Sequence, residues 1–101
     1  MTPFQSECYK ALKKVPPGKV ISYAGLADMI GRPKAHRAVG SAMNKNPFAP
    51  KVPCHRVVKS NGEIGGFADD INVKIKRLHK EGVEVLNNKV VNFKSILFRE
   101  S

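Results

Sequence analysis

The sequence predicts a helix-rich α+β domain of winged helix-turn-helix type, with a short β-hairpin as its wing. Three observations predict it: apolar residues recur at helical spacing in several segments, two of these are short helices joined by a tight turn, and a Ser-Asn-Gly turn separates two β-prone runs. At 101 residues the chain reads as one domain over 1–101, with no N-terminal domain before it. Its 42% hydrophobic content suffices for a small core and argues against disorder.

Phe4, Cys8, Ala11, Leu12 and Val15 fall at helical intervals, so residues 4–15 read as an amphipathic helix with Cys8 on the buried stripe. Pro16-Pro17-Gly18 ends it in a turn. Residues 19–22 read as a short strand, and Ser22 can cap a second helix, about 23–30, that Gly31 closes. Pro33 fits the first turn of a third helix, about 33–44. On that helix Ala35, Val39 and Met43 share an inward face, while Lys34, Arg37, Ser41 and Asn44 share the outward one. Basic and small polar residues outside a short helix that follows a helix and a turn are what a DNA recognition helix requires. Ala38, Gly40 and Ser41 either let its backbone approach DNA or serve helix–helix packing.

Residues 46–53 hold three prolines and form a loop, after which Cys54 is expected at the entry to a strand. Residues 56–59 and 63–67 flank Ser60-Asn61-Gly62 as a hairpin. Asp69 or Asp70 caps a fourth helix, about 70–81, whose apolar stripe is Ile71, Ile75 and Leu78, and Gly82 closes it. Residues 83–98 alternate only weakly and are expected to pack as irregular structure or a short strand.

Net charge is +10, unevenly spread. Residues 1–60 hold 11 Lys/Arg against Glu7 and Asp28, a balance of +9; residues 61–101 hold 7 against 6 acids, a balance of +1. A one-sided basic block suits a phosphate backbone better than the mixed signs of an ordinary solubilising surface. No run of 18 apolar residues and no basic-then-apolar leader occurs, so neither a membrane partner nor secretion is expected. The expected location is the cytoplasm at the nucleoid, or the nucleus in a eukaryote, and the expected state is a monomer. Cys8 and Cys54 form no Cys-x-x-Cys, and His36, His55 and His79 are scattered, so no metal site is expected.

Cys54 is the candidate nucleophile. An ordinary thiol, with a pKa of about 8.5, is mostly protonated near neutrality and needs a base or positive charge beside it. His55 and Arg56 adjoin it, although neighbouring strand side chains point to opposite faces. The pair is therefore either catalytic or a buried cysteine beside a solvent- or phosphate-facing histidine. Glu81 falls in the last helical turn, where the helix dipole disfavours a carboxylate. It either orients a partner such as a histidine or sits solvated at a frayed end.

Residues 4–82 resemble the C-terminal, DNA-binding domain of the O6-alkylguanine-DNA alkyltransferases. The resemblance rests on Val20-Ile21-Ser22-Tyr23, Leu26-Ala27, Pro33-Lys34-Ala35, Arg37-Ala38-Val39-Gly40, Ala42-Met43, Asn46-Pro47, Pro53-Cys54-His55-Arg56-Val57-Val58, Gly65-Gly66-Phe67 and Lys80-Glu81-Gly82. It implies a suicide methyltransferase that takes the alkyl group of O6-alkylguanine, with O4-alkylthymine as a second candidate, onto Cys54 without a cofactor. His55 would draw off the thiol proton through a water, oriented by Glu81. Tyr23 would donate to the guanine ring, and Asn46 would fix the loop that carries Cys54. Arg37 would fill the space left by a flipped nucleotide, with Lys34, Ser41 and Asn44 on the DNA. Val57, Val58, Gly65, Gly66, Phe67 and Ala68 would line the guanine pocket. The partner implied is double-stranded DNA carrying alkylated guanine.

Phe67 stands where the family often has Tyr, and Ala68 where Ser is frequent. Asp69-Asp70 replaces a small, often glycine-containing stretch, so substrate range is the part these residues put in question. Two rival readings are an alkyltransferase-like lesion binder, a class lacking the acceptor cysteine, and a winged-helix transcription regulator. The presence of Cys54 counts against the first, and the Cys-His segment is unexplained by the second.

Overall fold

A computed structural model describes residues 2–49, 51–65 and 71–99. Helix α1 (Pro3–Leu12) opens on a reciprocal capping box, in which the Thr2 hydroxyl accepts from the Gln5 amide at 3.1 Å and the Gln5 side chain accepts from the Thr2 amide at 3.0 Å. It ends before Val15 because that residue precedes Pro16 and is pushed out of helical conformation. Cys8 and Val15 are fully buried nonetheless.

Strand β1 (Ile21–Ser22) leads directly into α2 (Tyr23–Met29), whose first turn is capped by Ser22 Oγ accepting from the Gly25 amide at 2.9 Å. Gly31 closes it at φ +73°. Helix α3 (His36–Asn44) begins later than Pro33 suggested. Residues 32–35 instead form a turn closed by the Ala35 amide donating to the Arg32 carbonyl at 2.9 Å, and Pro33 takes the position after the first residue that its fixed φ suits. Lys34 therefore lies in the turn before the helix. Val39, Ala42 and Met43 face inward, whereas Arg37, Ser41 and Asn44 are exposed.

Cys54 does not sit at the start of a strand. It opens a single 3₁₀ turn (Cys54–Arg56) that feeds β2 (Val57–Val58), and β2 pairs in parallel with β1, Ile21 opposite Val57 and Ser22 opposite Val58. Alternation along these strands divides the core. Ile21 and Val57 face a cluster with Cys8, Leu12, Leu26 and Val39, while Val20 and Val58 face a second cluster with Ile64, Leu78, Val83 and Val90. Cys54 itself packs into the first of these clusters.

Residues 59–63 make the tight turn expected of Ser60-Asn61-Gly62, with Gly62 at φ +89°. Its far side does not pair back on β2 as a hairpin among the described residues. The Ile64 amide donates to the Asn88 carbonyl at 2.8 Å, and the Val90 amide to the Gly62 carbonyl at 2.9 Å. The hairpin is formed by β3 (Val85–Leu86) and β4 (Lys89–Val90), turned by Asn87 and Asn88 at φ 52° and 62°. Asparagine tolerates this left-handed conformation, so Asn-Asn was the turn signal in a stretch that otherwise read as irregular.

Helix α4 (Ile71–Lys80) ends at Gly82, φ +84°, and its expected caps Asp69 and Asp70 lie outside the described residues. Its predicted stripe holds at Leu78, which is fully buried, and partly at Ile75, but Ile71 is 40% exposed and Lys74 is fully buried in its place. After the short helix α5 (Phe93–Ile96) the chain returns to β1, where Val20 donates to Ile96 at 3.0 Å and accepts from Phe98 at 2.7 Å. No helix among the described residues is long and apolar enough to cross a membrane.

Candidate active site

The loop before Cys54 is held from within. Asn46 Nδ2 donates to the Val52 carbonyl at 2.9 Å, and Asn46 Oδ1 accepts from the Phe48 amide at 2.9 Å. The same Val52 carbonyl accepts the Cys54 amide at 2.8 Å, so one oxygen joins Asn46 to the cysteine backbone. Cys54 is a free thiol, 4% exposed. Cys8 is the other free thiol, and burial first, then Glu7, pushes its pKa up, which makes it a poor nucleophile.

The 3₁₀ turn places His55 and Arg56 so that both reach Glu81, just beyond the end of α4. His55 Nε2 lies 3.0 Å from Glu81 Oε2, Arg56 Nε donates to Oε1 at 2.9 Å, and Arg56 Nη2 donates to Oε2. Arg56 Nη1 donates to the Val15 carbonyl at 2.8 Å, tying the end of α1 into the cluster. Burial would raise the Glu81 pKa, but the hydrogen bonds from Arg56 and His55 outweigh it and hold the carboxyl below its usual range. His55 goes the other way. Its burial lowers the pKa more than Glu81 raises it, with Arg56 and Arg77 adding to the lowering, so the imidazole is neutral. A neutral ring bonded to a carboxylate carries its proton on Nε2, which leaves the buried Nδ1 lone pair as an acceptor with no hydrogen-bond partner among the described residues.

Tyr23, first residue of α2, stands across from this turn. Burial, then the proximity of Cys54, raises its pKa and keeps the hydroxyl a donor. A Cβ on Gly65 would come 3.3 Å from the Tyr23 hydroxyl oxygen, and Gly65 has φ +75°, so a side chain there would be strained as well as crowded. Tyr23, His36, Gly40, Asn44 and Lys59 line a cleft of about 290 Å³ between α3 and the site. The cleft brings Tyr23 and the predicted DNA-facing Asn44 together. Arg37 and Ser41 are exposed on α3 outside the Cys54–Glu81 cluster, and Lys34 is exposed in the preceding turn. Gly66, Phe67 and Ala68, expected at the pocket wall, lie outside the described residues.

Two contributions were not foreseen. Arg56, anticipated only as a neighbouring charge, grips Glu81 at both oxygens. Lys74 donates to the Val57 and Ile64 carbonyls at 2.7 Å each and lies 5.9 Å from the centre of the Tyr23 ring. Burial pulls its pKa down to about 8, and the nearby Cys54 acts against that fall. It thus binds the backbone of Val57, a residue expected to line the guanine pocket, from the α4 side. The signal available in the sequence was a lysine four residues before Leu78, inside an otherwise apolar helical stripe.

Residues 3–83 match the family described as 6-O-methylguanine DNA methyltransferase, DNA binding domain. The chain belongs to this family. A methylated-DNA–protein-cysteine methyltransferase of Methanosarcina acetivorans is 47% identical over 81 residues, 80% of this chain and 52% of that one. The crystal structure of Mycobacterium tuberculosis OGT in complex with DNA superposes with a TM-score of 0.78 at 46% identity, covering 80% of this chain and 50% of that one. Schizosaccharomyces pombe Atl1, in complex with damaged DNA containing O6-carboxymethylguanine, superposes with a TM-score of 0.83 at 30% identity, covering 99% of this chain and 98% of that one. The chain thus spans about half the length of the curated methyltransferases it matches. As a methyltransferase-family DNA-binding domain it keeps the expected helix-rich mixed architecture with small sheets.

Proposed function

We propose that this domain repairs O6-alkylguanine in double-stranded DNA by moving the alkyl group to Cys54. The observation that carries the reading is a buried thiol beside an imidazole whose Nε2 is bonded to a carboxylate. His55 Nδ1 takes the thiol proton through a water, Cys54 Sγ attacks the alkyl carbon, and the carbon–O6 bond breaks with its electron pair left on guanine. Tyr23 donates to the guanine ring as negative charge arrives there. The reaction balances without cofactor or metal, and the thioether product ends the working life of the molecule after one turnover.

In this reading the protein works as a monomer wherever DNA is held, in the cytoplasm at the nucleoid or in a nucleus. Helix α3 is the recognition helix of a winged helix-turn-helix, with the turn at 59–63 and the β3–β4 hairpin on the wing side. Lys34, Ser41 and Asn44 meet the DNA, and Arg37 enters the duplex in place of the flipped nucleotide. Flipping costs a few kcal/mol, less for a damaged pair, and phosphate contacts offset it. The backbones of Val57, Val58, Gly65 and Gly66, with Phe67 and Ala68, bound the guanine pocket. O4-alkylthymine is the second candidate substrate.

Incubation with a duplex containing O6-methylguanine, followed by intact mass spectrometry, tests the reading. One methyl group is expected on Cys54 and none on Cys54→Ala. The end-to-end match with Atl1 favours a second reading, binding of the lesion without transfer. Protein that holds the lesion yet stays unmodified would establish that reading and overturn the first.

A further inference from the structure

We propose that Arg56 is a positioning residue that sets the protonation of His55 by gripping Glu81. The proposal rests on the relay above for its catalytic meaning, but its physical content concerns the imidazole itself. All three guanidinium nitrogens are used: Nε on Glu81 Oε1 at 2.9 Å, Nη2 on Oε2, and Nη1 on the Val15 carbonyl at 2.8 Å. The Arg56 side chain is 12% exposed and that of Glu81 16%, so solvent screens the pair only partly.

Glu81 Oε2 is shared between Arg56 and His55 Nε2. A lone carboxylate against a buried imidazole would pull a second proton onto the ring and remove the acceptor at Nδ1. The guanidinium cancels most of that charge. What remains of Glu81 is direction: an oxygen fixed where it accepts Nε2–H and thereby selects the tautomer. Charged groups from each element acting on His55 are Glu81 after α4, Arg56 in its own turn and Arg77 in the last turn of α4. Two cations and burial against one anion leave the ring neutral. Glu81 also sits where the end of α4 repels negative charge, and Arg56 compensates there too. A residue that served only to cross-link α1, the 3₁₀ turn and α4 would affect stability without affecting the titration of His55.

The test follows the His55 ring by NMR through a pH titration of the unalkylated protein, alongside the pH profile of transfer from free O6-benzylguanine. Because neutral His55 is the base, activity falls as pH drops through its pKa. Replacing Arg56 with Gln unmasks Glu81, so the His55 midpoint should rise by roughly one pH unit, and the acid limb of the rate should rise with it. In Arg56→Lys the charge stays but the two-point grip is lost, so the midpoint should stay near wild type while transfer slows about tenfold. A folded Arg56→Gln protein whose His55 titrates as in wild type overturns the proposal. If that variant does not fold, Arg56→Lys decides, and wild-type rates at every pH overturn it. A midpoint that moves while the acid limb stays supports the grip of Arg56 on His55 and overturns the relay reading instead.

Discussion

Helix α3 carries Arg37, Ser41 and Asn44 on an exposed face, begins without a side-chain cap, and is anchored through its inner residues Val39, Ala42 and Met43. The Cys54 cluster is the reverse. His55, Arg56 and Glu81 come from segments about 25 positions apart, are largely enclosed, and are fixed by hydrogen bonds that also reach Val15 at the end of α1. One region leaves its polar side chains exposed to solvent; the other holds its polar side chains still with hydrogen bonds. Substitutions in the two regions should therefore separate binding from stability.

Glu81→Ala should give the largest effect. It leaves Arg56 enclosed without its carboxylate, and a loss of roughly 3 kcal/mol is expected in urea unfolding, at the low end for breaking a buried pair because both side chains keep some exposure. An Arg37→Ala protein should unfold within about 0.5 kcal/mol of wild type, as surface changes do. Its transfer from O6-methylguanine duplex should nevertheless slow at least about tenfold, with little change on free O6-benzylguanine, where no nucleotide is flipped. Equal slowing on both substrates would remove Arg37 from the flipping step. Tyr9→Phe should have the smallest effect. It deletes the 2.8 Å hydrogen bond from the Tyr9 hydroxyl to the Ala42 carbonyl, which docks α3 on α1, at a cost of about 1 kcal/mol in thermal or urea unfolding. If that variant lost DNA affinity well beyond its stability change, the face of α3 would depend on its inner anchoring more than its exposure suggests.

The same contrast governs what the sequence could reveal. Features set by neighbours along the chain were legible: the Ser22 cap, Gly31 and Gly82 as helix stops, the inward residues of α3, the proline-bearing loop. Features set by distant partners were not. Nothing local told that β2 would pair in parallel with β1, that Lys74 would be buried on the Val57 and Ile64 carbonyls, or that Arg56 would share Glu81 with His55. Pro33 misled in the other direction, because a residue that suits a first helical turn equally suits the second position of a β-turn. The Cys-His pair and Glu81 were ambiguous until the 3₁₀ turn replaced strand alternation, allowing consecutive side chains to converge on one carboxylate.

The return of the chain to β1 has a kinetic consequence. Val20 pairs with Leu97 across more than three quarters of the sequence, and residues 88–90 clasp the turn at 62–64 that lies beside the site. Closing such a loop carries an entropic cost before its contacts contribute. The α1–α3 unit lies wholly within residues 3–44 and can gather early, whereas the wall beside Tyr23 and Gly65 is completed only when the last strand arrives. During synthesis on a ribosome, helix α3 would thus be in place before Cys54 has its finished surroundings.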